Sequence, residues 1–204
     1  MMTILRLRDA IGGRVFRLIF ARQFGQWGRR TLVIAPIAIE GPDRIHLGDD
    51  VYVAAQTCLA AVPHTGDTTC RLEIGDSARI GRFNHIYATR LIRIGRQVLT
   101  ANGVYISDNQ HGYRDITKAV VDQPIIQSKD VVIGDGSWIG HNACIAGASI
   151  GRHCVVGANS VVTRDIPDYC VAVGAPAIVI RRFDPARAAW FATGPDGAFL
   201  DNIA

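Results

Sequence analysis

Residues 131–162, VVIGDGSWIGHNACIAGASIGRHCVVGANSVV, repeat one small pattern every six positions. Ile133, Ile139 and Ile145 stand six apart, as do Ile150, Val156 and Val162, and Gly134, Gly140, Gly151 and Gly157 follow four of these anchors. Two residues before each anchor is a small or slim side chain: Val131, Ser137, Ala143, Ala148, Cys154 and Ser160. A period of six fits neither the 3.6 of a helix nor the 2.0 of an ordinary strand. It predicts short flat strands joined by bends, each side turning one large and one small residue into a narrow interior. Glycine after the anchor suits the bend, because without a Cβ it takes positive φ at little cost.

Outward from this block, the spacing recurs in Ile74, Ile80 and Ile86 and again in Ile94, Thr100 and Ile106. Between residues 32 and 59 two phases coexist, one through Ile39, Ile45 and Val51 and one through Leu47, Val53 and Leu59, and the register stays open. Residues 107–130 hold no repeat, so they must leave the wall as an extended loop, a usual place for function on a rigid scaffold. The tail beyond Arg181 is expected to form a short helix around residues 186–191. The expected organisation is a basic N-terminal segment over 1–30, a solenoid domain over 31–180, and a C-terminal tail over 181–204.

Composition agrees with one solenoid. Of the 204 residues 49% are hydrophobic but only 7% aromatic, so aliphatic side chains must fill the core. The net charge of +4 conceals an asymmetry. Residues 1–30 carry seven arginines against Asp9 alone, a net +6, while the remaining 15 basic and 17 acidic residues sum to −2. Those arginines alternate with Ile4, Leu5, Leu7, Ile11, Val15, Phe16, Leu18, Ile19 and Phe20, roughly a helical stripe broken at Gly12 and Gly13. Such a segment either packs on the solenoid end or a neighbouring subunit, or lies on an anionic membrane surface. Nothing resembling a base-stacking motif accompanies it, which argues against nucleic acid. The longest plainly apolar run, residues 32–39, is eight long and contains Pro36, too short to span a bilayer, and no secretion signal is evident. Five cysteines without CxxC spacing point to free thiols in a reducing cytoplasm.

The run Ile133-Gly134-Asp135-Gly136-Ser137-Trp138-Ile139-Gly140, then residues 156–167 (VGANSVVTRDIP) and Val173-Gly174-Ala175-Pro176-Ala177, resembles the hexapeptide-repeat acyltransferases. The loop Ile106-Ser107-Asp108-Asn109-Gln110-His111-Gly112-Tyr113 is similar to the branch that O-acetylates sugars of lipopolysaccharide, capsule and exopolysaccharide, related to galactoside and maltose acetyltransferases. The resemblance covers about residues 71–181. It implies an all-β left-handed parallel β-helix, an exception to the right-handed rule for parallel crossovers, and a homotrimer with active sites between subunits. It also implies acetyl-CoA, or a related acyl-CoA, as donor and a sugar or glycan precursor as acceptor.

By the same resemblance His111 is the general base, a role that suits an imidazole with an ordinary pKa of about 6.5. Asp108, Asp115 or a backbone carbonyl would orient its ring. Asn84 corresponds to the asparagine that accompanies the base, although the stretch from Asn84 to Ile94 is shorter than in the galactoside enzymes, and His85 is a lesser candidate for the acceptor pocket. The amide of His141 would supply the oxyanion hole. Ala158, Thr163, Arg164 and Arg181, with Arg182, would hold CoA, and Trp138 is either a wall of the cofactor slot or solenoid packing; Arg164 stands where lysine is common, keeping the charge but changing its geometry. The six histidines do not resemble the ligand spacing of zinc hydratases with this fold, so no metal is expected. N-acetylation of an amino sugar and a non-catalytic scaffold remain as alternatives.

Overall fold

The computed structural model describes residues 4–194 and 197–200, with side chains from Arg8 onward. Its wall is a three-sided coil of parallel strands, the left-handed parallel β-helix that the resemblance implied. The first face stacks Gln26–Trp27, Ile45–Leu47, Arg71–Ile74, Leu91–Ile94 and Val131–Ile133. The second carries Leu32–Val33, Tyr52–Val53, Arg79–Ile80, Leu99–Thr100, Trp138–Ile139, Val155–Val156 and Cys170–Gly174. On the third lie Ala38–Glu40, Cys58–Ala61, His85–Ala88, Tyr105–Ser107, Cys144–Ala146 and Val161–Val162.

Registers between coils bring like onto like. Leu47, Ile74, Ile94 and Ile133 are aligned on the first face, and Leu59, Ile86, Ile106, Ile145 and Val162 on the third. All are at most 2% exposed. Complete burial of each such side chain favours folding by roughly 1.5–3 kcal/mol, which drives the winding. The open register of residues 32–59 resolves simply, because both phases point inward. Leu47, Val53 and Leu59 hold the anchor position, and Ile45 and Val51 hold the partner position two residues earlier; on the first face Leu72 and Ile92 continue Ile45 in that position, while on the second Ala78 and Ser137 are smaller than Val51.

The two ends of the coil are closed differently. At the N-terminal end one continuous helix, α1 (Ile4–Phe20), runs through Gly12 and Gly13 where a break was expected. A Cβ on Gly13 would stand 2.6 Å from Ile34 Cδ1, so this glycine lets the helix settle on the first coil instead of interrupting it. Phe16 stacks near Phe20 and Trp27, at 4.7 and 6.1 Å between ring centroids. The coil begins at Gln26, within the segment expected to stand apart.

At the other end the expected helix over 186–191 is absent. Ala177–Asp184 folds back antiparallel on Cys170–Gly174, and Ala189–Ala192 pairs antiparallel with it in turn. Asp184 accepts a hydrogen bond from the amide of Ala186 at 2.9 Å and is paired with Arg187, whose guanidinium lies 3.7 Å from the Phe191 ring centroid. These local contacts favour a turn over a helix, and the hairpin covers an edge that would otherwise expose unpaired backbone.

Candidate active site

Two excursions leave the third face. Residues 62–70 interrupt the wall after Cys58–Ala61, and residues 108–130 do so after Tyr105–Ser107. The second forms a hairpin in which Asn109–His111 pairs antiparallel with Ile125–Gln127, His111 opposite Ile125. Gly112 follows with its amide on Pro124 O at 2.9 Å, and a Cβ there would meet that oxygen at 2.7 Å. This close approach fixes the backbone beside His111.

The root of the hairpin is clamped by Asp108, which is fully buried. Its Oδ1 accepts from the Thr89 amide at 2.8 Å and Asn109 Nδ2 at 3.2 Å, and its Oδ2 from the amides of Arg90 and Leu91 at 2.7 and 2.8 Å. The Thr89 hydroxyl lies 2.9 Å from both Asp108 Oδ1 and Gln127 Oε1 and donates to one at a time. Thr65 also donates to Gln127 Oε1 at 2.9 Å, tying the two excursions together. Asp108 thus spends its carboxylate on the loop base and makes no hydrogen bond to His111. Asp115 is engaged by Thr117 and Lys118. The exposed ring of His111 has no hydrogen-bond partner among the described residues.

Asn84 lies inside the coil at the partner position before Ile86, 1% exposed, where it cannot touch a bound acceptor. Its Nδ2 donates to Ala101 O at 2.9 Å and Arg82 O at 3.3 Å, while Oδ1 is buried without a partner. His85 beside it points outward. It is stacked with Tyr87 and Tyr105 at 6.0 and 5.6 Å, and His64 from the shorter excursion stacks on Tyr87 at 5.9 Å. This aromatic strip was missed at His64, Tyr87 and Tyr105. Its signal was present, since His85 and Tyr87 flank the inward Ile86 and Tyr105 precedes the inward Ile106, which places all three outward.

The corners of the prism differ in how their amides are satisfied. Where the first face turns into the second, aspartates cap four of the coils before them, and the amides of Asp76 and Asp135 have no acceptor among the described residues. Asp49, Asp76, Asp135 and Asp168 accept from the amides of Arg29, Asp49, Arg96 and Arg152 at 2.7–2.9 Å. Those backbone bonds hold the carboxyls of Asp49, Asp135 and Asp168 below the usual carboxylate range. Where the second face turns into the third, Asn102 caps the Arg82 amide at 2.9 Å and the capping then stops. The amides of Asn102, His141 and Ala158, stacked on successive coils, have no acceptor among the described residues. Ala158, where a capping side chain would sit, has no acceptor atom.

The remaining candidates are dispersed. Half-exposed Trp138 lies on the outer second face in one row with Leu99, Val155 and Val171, and Arg181 is opposite Val171. Exposed Thr163 and Arg164 sit at the corner after Val161–Val162. Arg164, Arg181 and Arg182 form no ion pair among the described residues, which leaves them open to an anion. Concavities of about 690 and 600 Å³ lie elsewhere, against Asp9, Tyr52 and Arg82 and on the first face against Arg71, Glu73 and Arg93. Burial pushes the thiols of Cys70 and Cys170 up to about 11, so neither is an activated nucleophile. Among the described residues no cluster of three or more His, Cys, Asp or Glu is placed to hold a metal, and no helix is long and apolar enough to cross a membrane.

Residues 130–164 match the bacterial transferase hexapeptide family, a model of six repeats. Over 192 residues the chain is 39% identical to a probable acetyltransferase of Mycobacterium tuberculosis, covering 88% of this chain and 63% of the relative. Over 122 residues it is 34% identical to the putative lipopolysaccharide biosynthesis O-acetyl transferase WbbJ of Escherichia coli, covering 56% of this chain and 62% of the relative. The chain thus spans less than two thirds of either curated relative. Among solved structures it is similar to AntD, an N-acyltransferase from Bacillus cereus in complex with dTDP and 3-hydroxybutyryl-CoA. The TM-score is 0.70 at 17% identity, over 84% of this chain and 89% of that one. PerB from Caulobacter crescentus, in complex with CoA and GDP-perosamine, gives 0.54 at 23% identity over 82% and 66%. At these identities the likeness is one of fold.

Proposed function

Given a chain that carries the hexapeptide repeat of the bacterial transferases, we propose an acetyl-CoA-dependent O-acetyltransferase acting on a hydroxyl of a sugar or surface-polysaccharide precursor in the cytoplasm. The observation that carries this reading is the row of unsatisfied amides at Asn102, His141 and Ala158. A ladder of free N–H donors along an edge suits the amide carbonyls of a pantetheine arm, and its His141 member suits the developing oxyanion. Arg164, Arg181 and Arg182 offer charge for the CoA phosphates.

In the reaction, the sugar O–H attacks the thioester carbonyl while His111 takes its proton. The tetrahedral oxyanion is held by the His141 amide and collapses, breaking the C–S bond. The CoA thiolate then recovers the proton from the imidazolium. A base of this kind contributes about 10²- to 10⁴-fold and one oxyanion donor about 10²- to 10³-fold. The strip His64, Tyr87, His85 and Tyr105 supports a sugar acceptor, since flat rings suit the C–H face of a pyranose.

The root of the His111 hairpin and the amide row stand at opposite corners of the third face. From Asn102 to Asp108 is six residues, about 15–20 Å in extended chain. That separation supports a homotrimer in which one subunit's His111 hairpin meets the amide row of the next. The hairpin tip carries the apolar residues for such a contact, with Ile116 96% and Val121 84% exposed. The identity with the putative lipopolysaccharide O-acetyl transferase favours an ester over an amide product.

His111→Ala should lower kcat by about 10²- to 10⁴-fold and leave the dissociation constant for CoA nearly unchanged. Retained turnover removes the mechanism. Mass spectrometry of glycans incubated with acetyl-CoA should show an acetyl group lost in mild base, and a base-stable amide product refutes O-transfer.

A further inference from the structure

We propose that the outward face of α1 docks this protein on an anionic lipid bilayer. The helix has two faces of different use. Gly13 and Phe16 turn toward the first coil, where the helix packs against Leu32–Val33 and Trp27. On the opposite side Ile11, Val15, Leu18 and Ile19 are 53%, 48%, 84% and 59% exposed. At 3.6 residues per turn these four fall within one arc of about 100°, away from Gly13. They form a stripe, not scattered surface apolar residues. Beside it, Phe16, Phe20, Phe24, Pro36 and Ile37 line an apolar notch of about 280 Å³, with Ile37 73% exposed.

Charge selects the occupant. Arg29 and Arg30 are neutralised by Asp49 and Asp50, whereas Arg14, Arg17 and Arg22, on α1 and the turn after it, have no ion pair among the described residues. A second copy meeting this stripe about a two-fold axis would bring the same unpaired guanidiniums together, a repulsive arrangement. An anionic bilayer takes the apolar stripe into its acyl boundary and meets Arg14, at the edge of the stripe, with its phosphates, while Arg17 and Arg22 add positive charge within reach of the surface potential. At 17 residues and carrying charge, α1 lies on the surface and does not span it.

The full chain should co-sediment with phosphatidylcholine vesicles containing phosphatidylglycerol, and raised salt should weaken this binding. Leu18→Asp with Ile19→Asp should abolish it. Arg14→Gln, Arg17→Gln and Arg22→Gln together should weaken it about 100-fold, since each arginine near such a surface contributes about 1 kcal/mol. Leu18, Ile19, Arg14 and Arg22 are exposed and Arg17 is half-buried without an ion pair among the described residues, so the melting temperatures of both variants should match the parent. Absence of vesicle binding, equal binding to pure phosphatidylcholine, or binding unaffected by either variant overturns the proposal. So does a change of oligomer size in sedimentation velocity for the Leu18→Asp, Ile19→Asp protein, because the stripe then meets a second copy.

Discussion

Ala158→Asn tests the amide row directly. Arg82, Asn102, His141 and Ala158 each stand two residues after an inward anchor (Ile80, Thr100, Ile139 and Val156) on successive coils of one corner. In the capped example, Asn102 Oδ1 receives the Arg82 amide from the preceding coil at 2.9 Å. Asparagine at 158 places the same acceptor one coil beyond His141. The two consequences have opposite signs. One added hydrogen bond stabilises by about 0.5–1.5 kcal/mol, which raises the melting temperature by about 2–4 °C per kcal/mol in a chain of this size. Loss of one oxyanion donor lowers kcat by about 10²- to 10³-fold, or about 2.7–4 kcal/mol. Steady-state release of CoA thiol and a thermal melt at one protein concentration read both. Ala158→Val supplies bulk without an acceptor, so it should raise KM for acetyl-CoA and keep most of kcat. Unchanged kcat in Ala158→Asn together with a raised melting temperature would refute the role of the His141 amide. Equal loss of kcat in Ala158→Val would assign the effect to crowding.

Two further outcomes follow from the carboxylates. Asp108→Ala strips the amides of Thr89, Arg90 and Leu91 of their buried acceptor, at about 1–3 kcal/mol each, and should cost at least about 3 kcal/mol in urea unfolding at fixed protein concentration. A cost below about 1 kcal/mol means the hairpin root is not clamped as described. The capping aspartates Asp49, Asp135 and Asp168 have folded pKa values below the ordinary 3.8. Their contribution is therefore complete above that value and is lost as pH falls through the lower folded values. Melting temperature should be flat in this respect from about pH 7 to 5 and drop below about pH 4, less steeply in Asp168→Asn. An equal acid slope in that variant sinks the assignment.

What the sequence made legible was whatever the coil repeats locally. Inward anchors and partners obey a rule six residues long, so Ile133, Ile139 and Ile145 declare their burial from the chain alone. Where two phases coexisted, at Ile45 and Leu47 or Val51 and Val53, the ambiguity came from assuming one large inward residue per side when these sides use two, as Leu72 with Ile74 and Ile92 with Ile94 also do. The continuous helix through Gly13 and the C-terminal hairpin were harder to read, because what decides them is a neighbour: Ile34 in one case and the exposed edge of Cys170–Gly174 in the other. The site is further from local reading still. Asp108 looks like a partner for His111 three residues away, yet its oxygens are taken by amides 17–19 positions earlier. Asn84 looks polar and available, but its phase relative to Ile86 sends it inward. That phase was readable before any coordinates, and it should outrank chemical suitability. A side chain on this scaffold can reach a substrate only from an outward position or from an excursion. His85, Tyr87 and Tyr105 satisfy the first condition, and His64 and His111 satisfy the second. The His141 amide is a third kind of case, since its freedom comes from the lack of an acceptor at residue 158, seventeen positions onward, and becomes visible only when the coils are stacked.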